Sequence, residues 1–479
     1  MDKTTLRKIL LFSKKERTEM FLVGGIIRDI FLGIKSMDYD VVMSKDAKRL
    51  AKKFAKDIKG AFVELDDQNK IYRVVKKTKK GIINIDFSQM RGNKIEDDLA
   101  LRDFTIDAMA LNLKHSLKKD SSSDIIDPFG GVKDIKKGII RLVGPKIFKD
   151  DPLRLLRAFR LAAVLGFSID SKTKTLAKKQ AALIKKISGE RIHEELIKTL
   201  GTKCAGEHIV EIDKSGILTA LVPEIEPIRK AFRYYYHRKG LWGHSIDSLM
   251  SFEEISGNIS RLFPKVKKEL SVYLDEYLVN GVKRSAILKF AALFHDFGKP
   301  PTLSRKKGKV RFFGHEEKGV KIVKDIMVRL RFSNREIRTL EKVIRHHMRP
   351  GTLSRNKVIT DKAIWKFFRD MEEDGVGVLL MSLADYYAYR KQDSSQKDIE
   401  RHRKAVRTIL YRYFMHREII SPALLLNGSD LMKNFGLSQG PMIGKLLHML
   451  EEAQAEGRVK TRKQAEGLIK DILDNTEPL

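Results

Sequence analysis

Phe21-Leu22-Val23-Gly24-Gly25-Ile26-Ile27-Arg28-Asp29, followed by Asp38-Tyr39-Asp40-Val41-Val42, is the stretch on which the fold turns. A short apolar run stops at a glycine pair and a helical pattern starts at once, which reads as strand, turn, helix. Glycines at such a turn let the backbone approach a phosphate closely, and a helix N-terminus attracts negative charge. Arg28 adds a charge-assisted donor. In the second segment, residues i and i+2 of a strand point to one face, so Asp38 and Asp40 present two carboxylates side by side. Two like charges that close are unfavourable unless a cation neutralises them. Hard oxygen ligands suit Mg²⁺, which takes one or two carboxylates together with substrate phosphates. A solvated edge strand accounts for paired carboxylates alone, but not for the glycine turn ahead of them.

A third carboxylate, Asp86, lies in the strand-like run Ile83-Asn84-Ile85-Asp86-Phe87. Three carboxylates on adjacent strands can hold two metals about 3.5–4 Å apart for phosphoryl transfer. Alternatively, Asp86 can accept the proton of an attacking hydroxyl. Around these segments the first 150 residues read as mixed α/β, with strands at 40–43 and 82–87 and helical periodicity over 46–58.

The chain has 479 residues, which suggests about three domains at roughly 150 residues each. Hydrophobic residues make up 42% and charged residues 33%, enough for a sizeable core and unlike a disordered chain. Lys and Arg number 95 against 62 Asp and Glu, a formal charge of +33. That excludes an acidic partner-binding protein and argues for a polyanionic partner such as nucleic acid, beyond what solvated lysine faces require. The single cysteine, Cys204, permits neither an internal disulfide nor a cysteine zinc site, which fits a reducing compartment. No stretch approaches the ~18 apolar residues of a membrane span, and the amino terminus lacks a signal-peptide core.

Further along come Leu101-Arg102-Asp103-Phe104-Thr105-Ile106-Asp107-Ala108-Met109-Ala110, then Asp127-Pro128-Phe129-Gly130-Gly131, then Asp150-Asp151-Pro152-Leu153-Arg154-Leu155-Leu156-Arg157-Ala158-Phe159-Arg160. With the glycine turn and the Asp38-x-Asp40 pair, these motifs resemble, in order, those of the class II tRNA nucleotidyltransferase and poly(A) polymerase family, within the nucleotidyltransferase superfamily with a polymerase-beta-like palm. Two positions depart from that family's pattern: Asn usually stands at Asp107, and Glu is common at Asp150.

The fourth motif also has its own reading. Asp151-Pro152 makes a helix start with Asp as N-cap, and Arg154, Arg157 and Arg160 recur along one helical side. Cytosine and adenine each carry an amino donor beside a ring-nitrogen acceptor, so a carboxylate and an arginine can read both, and they repel uracil and guanine. The resemblance assigns that task to Asp151 and Arg154. It implies that Gly24, Gly25, Arg28, Arg102, Asp103, Arg157 and Arg160 bind the nucleotide, and that Asp38 and Asp40 hold Mg²⁺ with Asp86 as a third catalytic residue. Ser188 to Leu196 resembles the family's fifth motif and reads as a structural brace of the neck.

The middle of the chain carries many of the 12 histidines. Phe290-Ala291-Ala292-Leu293-Phe294-His295-Asp296-Phe297-Gly298-Lys299 sets His and Asp at the end of an apolar helix, where they are costly without partners. With His244, His315, His346-His347 and Asp385, they make a donor set for a divalent transition metal. The set resembles the HD phosphohydrolase domain, which implies His244, His295, Asp296 and Asp385 as core ligands and His315 with one of His346 and His347 at a second metal. Hydrogen-bonded core histidines are the alternative. In the tail, the glycine turns 426–432 and 437–445 read as phosphate seats or as ordinary helix caps.

The expected fold is α+β: a polymerase-beta-like head with a mixed sheet, then an all-helical neck, HD domain and tail. The divisions are 1–150, 151–232, 233–395 and 396–479, with loops at 118–124 and 391–397. The expected activity is Mg²⁺-dependent addition of CMP and/or AMP from CTP and ATP to the 3′ end of tRNA, in the cytoplasm, with no membrane and no protein partner. CC-only, A-only and poly(A) addition stay open, although the 63–68 stretch before Arg73 lacks the basic insertion expected of the poly(A) branch. Alternatives of another class are an HD phosphohydrolase acting on RNA ends and a purely RNA-binding protein.

Overall fold

A computed structural model describes residues 3–475 apart from 80, 117–123, 232–238, 280, 308, 390–395 and 421–422. Most of the expected loop at 118–124, and residues 391–395 of the second, lie outside the described residues. The chain forms two compact units, Met1–Glu195 with Glu211–Leu221, and Leu196–Val210 with Val222–Leu479.

The first unit opens with α1 (Lys3–Lys15), β1 (Met20–Val23), α2 (Gly25–Phe31), β2 (Asp38–Met43), α3 (Ala47–Ile58), β3 (Ala61–Asp66), β4 (Ile71–Thr78) and β5 (Gly81–Gln89). Next come α4 (Ile95–Ala100), β6 (Ala110–Asn112), β7 (Ile125–Ile126) and α5 (Gly131–Lys137). The strands form one mixed sheet in the order β3-β4-β5-β2-β1-β6-β7, in which only β2 and β5 run parallel. Alternation decides the faces of β2: Tyr39 and Val41 are buried, while Asp38 and Asp40 point the other way. Under the buried face, Phe54 of α3 meets Phe12 of α1 and Phe87 of β5 edge-on, with ring centroids 5.0 and 5.3 Å apart. Truncating such a buried ring costs about 3–5 kcal/mol.

The third motif proves to be a capped helix start. Asp127 accepts hydrogen bonds from the Gly131 and Val132 amides at 2.7 and 3.0 Å, which opens α5. A Cβ at Gly131 would fall 2.2 Å from the Thr105 carbonyl, so only glycine lets α5 lie against the 3-10 turn Thr105–Asp107 of the second motif. Thr105 Oγ1 donates to Asp134 of α5 at 2.7 Å and ties the same two pieces together.

The neck follows as β8 (Ile139–Ile140), α6 (Ile147–Asp150), α7 (Arg154–Leu165), β9 (Ser168–Ile169), α8 (Ser171–Gln180), α9 (Gly189–Leu200), α10 (Ala205–Lys214), α11 (Ile217–Leu221) and α12 (Ile225–Lys230). One expectation is corrected here. The helix of the fourth motif starts at Arg154 and not at Pro152, with Leu153 in the cap position. Asp151 still serves the entry turn, because its Oδ1 accepts from the Leu153 amide at 3.2 Å.

In the second unit α13 (Gly240–Gly257), α14 (Ile259–Leu262), α15 (Lys267–Asp275), the hairpin β10 (Tyr277–Val279) and β11 (Val282–Lys283), and α16 (Arg284–Phe294) lead to a second hairpin, β12 (Ser304–Lys306) and β13 (Lys309–Arg311). After it come α17 (His315–Arg329), α18 (Asn334–His346), α19 (Arg349–Leu353), α20 (Asp361–Met371), α21 (Asp374–Ala388) and α22 (Gln396–Met415). After the head the chain is helical as expected, apart from the two short hairpins and the two-residue pair β8–β9. Gln396 and Lys397 open α22 and are not linker. That helix packs on α21, with His402 stacked on Tyr386 at 3.9 Å, so the expected division at 395/396 runs between two packed helices. The tail, α23 (Arg417–Ile420), α24 (Gly428–Phe435), α25 (Pro441–Ala455) and α26 (Arg462–Asp474), buries its own cluster of Leu426, Leu431, Leu446, Leu450 and Ile469. Asn427 and Asp430 make a capping box on α24, the ordinary reading of that turn.

Candidate active site and histidine centre

The glycine turn closes on the carboxylates. Gly24 has φ +73°, and a Cβ there would sit 2.9 Å from Arg102 Nη1 and 3.1 Å from Asp40 Oδ2. A side chain is excluded both by backbone conformation and by space. Asp40 stands opposite Asp86 in the parallel β2–β5 register, and Asp38 stands opposite Asn84. Asn84 Nδ2 donates to Asp38 Oδ1 at 2.8 Å and orients it. Burial raises the Asp40 carboxyl, Arg102 opposes the rise, and Asp86 and Asp107 add to it, leaving the group at about 6. A partly buried carboxylate short of positive charge is what a bound cation would compensate, so Asp40, with the exposed Asp38 beside it, fits a hard divalent metal.

Asp86 is placed differently from the expected third ligand. Both its oxygens accept from Arg73 of β4, Nε and Nη2, at 2.7 Å each. Among the described residues, Asp38, Asp40 and Asp86 do not bring three ligand oxygens within 4.8 Å of one another. Arg73 escaped the sequence reading. Its pairing with Asp86 depends on the β4–β5 register, which is set across the turn from Thr78 to Gly81.

The arginines are largely engaged within the protein. Arg28 Nη1 donates to Asp107 Oδ1 at 2.7 Å, and its Nη2 to Asp29 at 2.8 Å. Asp107, where the family usually has Asn, is buried, and burial raises its carboxyl against the pull of Arg28. Arg157 Nε donates to Asp103 at 2.5 Å, and Arg160 Nε to Glu195 at 2.7 Å. Burial works to raise Asp103, but Arg157 and Arg154 hold it below the ordinary carboxylate range. The stripe on α7 is thus a row of braces as well as a charged face.

Beside this lies a cleft of about 920 Å³, lined by Arg102, Asp103, Asp151, Arg154, Arg157 and Arg191 among others. That is the size of a small-molecule site. Arg102 lines the cleft and also packs on the glycine turn, linking the two. Asp151 and Arg154 both line it without pairing with each other. Asp151 Oδ2 accepts from Arg191 Nη2 of α9 at 2.8 Å, and Arg154 Nη2 donates to the Leu101 carbonyl at 3.1 Å. Arg191 belongs to the fifth motif, which by sequence reads as a neck brace; here it reaches the cleft as well.

The second unit gathers the histidines. Asp296 is the hub: its Oδ2 lies 3.5 Å from His244 Nε2 and 3.3 Å from His295 Nε2, and its Oδ1 lies 3.6 Å from His315 Nε2 and 3.9 Å from His347 Nε2. Asp385 Oδ1 stands 3.0 Å from His244 and 3.7 Å from His295. His347, not His346, joins the cluster, with His315 3.3 Å away. Lys299 Nζ donates to Asp296 Oδ2 at 2.6 Å, a contact the sequence reading did not draw. The Nδ1 atoms of His295, His315 and His347 each face the carbonyl three residues earlier, at 3.0, 2.9 and 2.7 Å. A carbonyl only accepts, so each Nδ1 carries a proton, and it is the Nε2 atom of each ring that faces the carboxylates. His295 Nε2 is fully buried and makes no hydrogen bond. Two sets, His244/His295/Asp385 and His295/Asp296/His347, bring their ligand atoms within 4.8 Å, so the residues fit one or two divalent metals.

A glycine turn packed on strand carboxylates, beside a cleft lined by arginines and a helix-entry aspartate, defines a nucleotidyltransferase head, here on one chain with an HD-type histidine centre. Comparison with known proteins agrees. Residues 20–141 match the poly(A) polymerase head domain and 166–229 a probable RNA- and SrmB-binding site of polymerase A. Residues 244–390 match the HD domain, and 318–466 a putative tRNA nucleotidyltransferase domain 2. The A-adding tRNA nucleotidyltransferase of Deinococcus radiodurans is 27% identical over 462 residues, 95% of this chain and 96% of that protein. The CC-adding enzyme of Thermus thermophilus is also 27% identical, over 94% of this chain and 93% of its own. The multifunctional CCA protein of Neisseria gonorrhoeae is 31% identical over 346 residues, 69% of this chain and 74% of that protein. A CCA-adding enzyme solved in complex with ATP shares the fold with a TM-score of 0.65 at 19% identity, covering 99% of this chain and 95% of that one. The chain belongs to the tRNA nucleotidyltransferase and poly(A) polymerase family. No described helix is long and apolar enough to cross a membrane.

Proposed function

We propose that this chain adds CMP and/or AMP, from CTP and ATP, to the 3′ end of tRNA, as a cytoplasmic CCA-adding enzyme. The observation that carries the reading is the packing of Gly24 on Asp40 and Arg102 at the edge of the cleft that holds Asp151 and Arg154. The RNA 3′ oxygen attacks the α-phosphate, a P–O bond forms, the bond to the β-phosphate oxygen breaks, and pyrophosphate leaves. Mg²⁺ held by Asp38 and Asp40 would supply charge neutralisation at the triphosphate. The head, 1–150, contributes Gly24, Gly25, Arg28, Arg102 and Asp103 to nucleotide binding, and Asp86 assists as proton acceptor when Arg73 releases it. The neck, 151–232, contributes Asp151 and Arg154 as readers of the base edge, with Arg157 and Arg160 behind them. Pairing of that edge admits C and A and leaves buried groups unsatisfied with U or G.

The test is incorporation on tRNA transcripts ending before the first C, after one C and after CC, with CTP and ATP singly and together. Ordered addition of C, C and A is expected. Addition of only C or only A assigns the chain to one half of a split pair, as the CC-adding and A-adding relatives are named. No incorporation on any transcript overturns the reading.

A second reading concerns the other unit and rests on the convergence of His244, His295, Asp296, His315, His347 and Asp385. We propose a metal-dependent phosphoesterase centre within 233–395. A transition metal held there would polarise the phosphoester. Water oxygen bonds to phosphorus, the ester P–O bond breaks, and the leaving oxygen takes up the proton that the attacking water gives up. Lys299, beside Asp296, is positioned to steady the charge that develops.

A further inference from the structure

From Phe297 to His315 the chain holds six Lys and Arg and no acidic residue. Five of these, Arg305, Lys306, Lys307, Lys309 and Arg311, fall on the hairpin of β12 and β13 or its turn, and all five are exposed. The register sets Lys306 directly opposite Lys309 and Ser304 opposite Arg311. Strand alternation then puts Lys306, Lys309 and Arg311 on one face and Arg305 with Val310 on the other. Like charges directly opposite each other destabilise a strand pair. Neither lysine, nor Arg311, has an ion-pair partner among the described residues. The face therefore carries an electrostatic cost with no return inside the fold, and a bound polyanion would relieve it.

The same hairpin runs straight into the histidine centre. The Phe312 carbonyl accepts from His315 Nδ1 at 2.9 Å and from the His315 amide at 3.2 Å, which sets the ring that faces Asp296. Lys299, which holds Asp296, also lies 5.8 Å from the Phe312 ring centroid. Phe313, next in line, is 73% exposed. A row of cations ending in an exposed aromatic is how single-stranded nucleic acid is held: phosphates on the charges, a base on the ring.

We infer that the hairpin 304–313 is a binding arm for single-stranded RNA, with its backbone on Lys306, Lys309 and Arg311 and a base on Phe313, and that it delivers a phosphoester to the histidine centre. The delivery rests on the phosphoesterase reading above; the binding does not.

The test uses the full chain with Mn²⁺ and an oligouridylate carrying one 4-thiouridine, with the photo-cross-link mapped by mass spectrometry. The cross-link is expected within 304–313. Lys306→Glu/Lys309→Glu and, separately, Phe313→Ala are expected to lower its yield about tenfold. In Lys306→Glu/Lys309→Glu/Arg311→Glu the slope of log affinity against log salt falls by about 2. Incorporation of CTP and ATP into tRNA is expected to be unchanged in all three, which shows that the fold survives. Cross-links confined to other segments, or an unchanged yield in the charge-reversed chain, overturn the proposal. Turnover of bis(p-nitrophenyl) phosphate, which needs no RNA arm, is expected to be equal in the unaltered and charge-reversed chains. Its absence in the unaltered chain would overturn the phosphoesterase reading alone, and the cross-link would still decide the arm.

Discussion

Arg73 and Asp86 face each other across β4 and β5, and the guanidinium takes both carboxylate oxygens at 2.7 Å. Because Asp86 also stands opposite Asp40, this pair engages the third carboxylate one strand from the proposed metal site. The pair is partly exposed, with side chains 37% and 21% accessible, so its value is in placing Asp86 more than in stability. Arg73→Ala and Asp86→Asn are each expected to lower kcat for incorporation about tenfold with little change in KM. The double variant is expected to be no worse than either single one, because the two act as a unit. Additive losses in single-turnover assays would refute the coupling.

Gly24→Ala is expected to cost at least about a hundredfold in kcat/KM while the chain stays folded. The added Cβ moves Arg102 and Asp40 rather than any core residue. Incorporation rates alongside a thermal melt separate the two effects.

Arg191 holds Asp151 at 2.8 Å from outside the fourth motif. Arg191→Ala is expected to leave CTP and ATP use within a few fold and to raise UTP misincorporation about tenfold, since a loosened carboxylate reads the base edge less strictly. Asp151→Ala should show a larger loss of discrimination. Competition between CTP and UTP on a transcript lacking its terminal nucleotides measures both.

In the histidine centre, Asp296 faces His244 and His295 with one oxygen and His315 and His347 with the other. Mn²⁺ titration is expected to find two ions in the unaltered chain, one in His347→Ala and none in Asp296→Ala. Nucleotide incorporation should be preserved in both variants. Two ions retained in Asp296→Ala would refute the central place of Asp296 in the centre.

His402 is buried against Tyr386 and Ser382, with Ser382 Oγ 3.1 Å from its Nε2. Burial lowers its imidazole to about 4, with Asp385 opposing and Arg401 adding to the fall. A folded-state value below the unfolded one means that the contribution is intact above about pH 6.5 and is lost as pH falls toward 4. The loss is at most about 3 kcal/mol. His402→Gln should be less stable at neutral pH and lose part of the acid dependence. Thermal melts of both chains from pH 7 to 4.5 would reveal a common slope if the idea is wrong.

The legible part of this protein was chemistry that is local in the chain. The glycine turn, the Asp38-x-Asp40 alternation and the His295-Asp296 pair each depend on neighbours within a few residues, so spacing alone put Asp38 and Asp40 on one strand face and His295-Asp296 at the end of α16. The strands at 40–43 and 82–87 and the helix at 46–58 were legible in periodicity for the same reason, whereas the mixed sheet was what the family resemblance implied. Tertiary structure decided which groups those residues meet. Arg73 reaches Asp86 through strand register, Arg191 reaches Asp151 across 40 residues, and His347 rather than its neighbour His346 turns toward Asp296 because of where α18 ends. The hairpin beside that centre was hidden in a run of lysines, since charge says nothing of strand pairing until Lys306 is seen to face Lys309. Spacing along a chain sets the direction of a side chain relative to its own element, whereas the partner it meets depends on how distant elements pack.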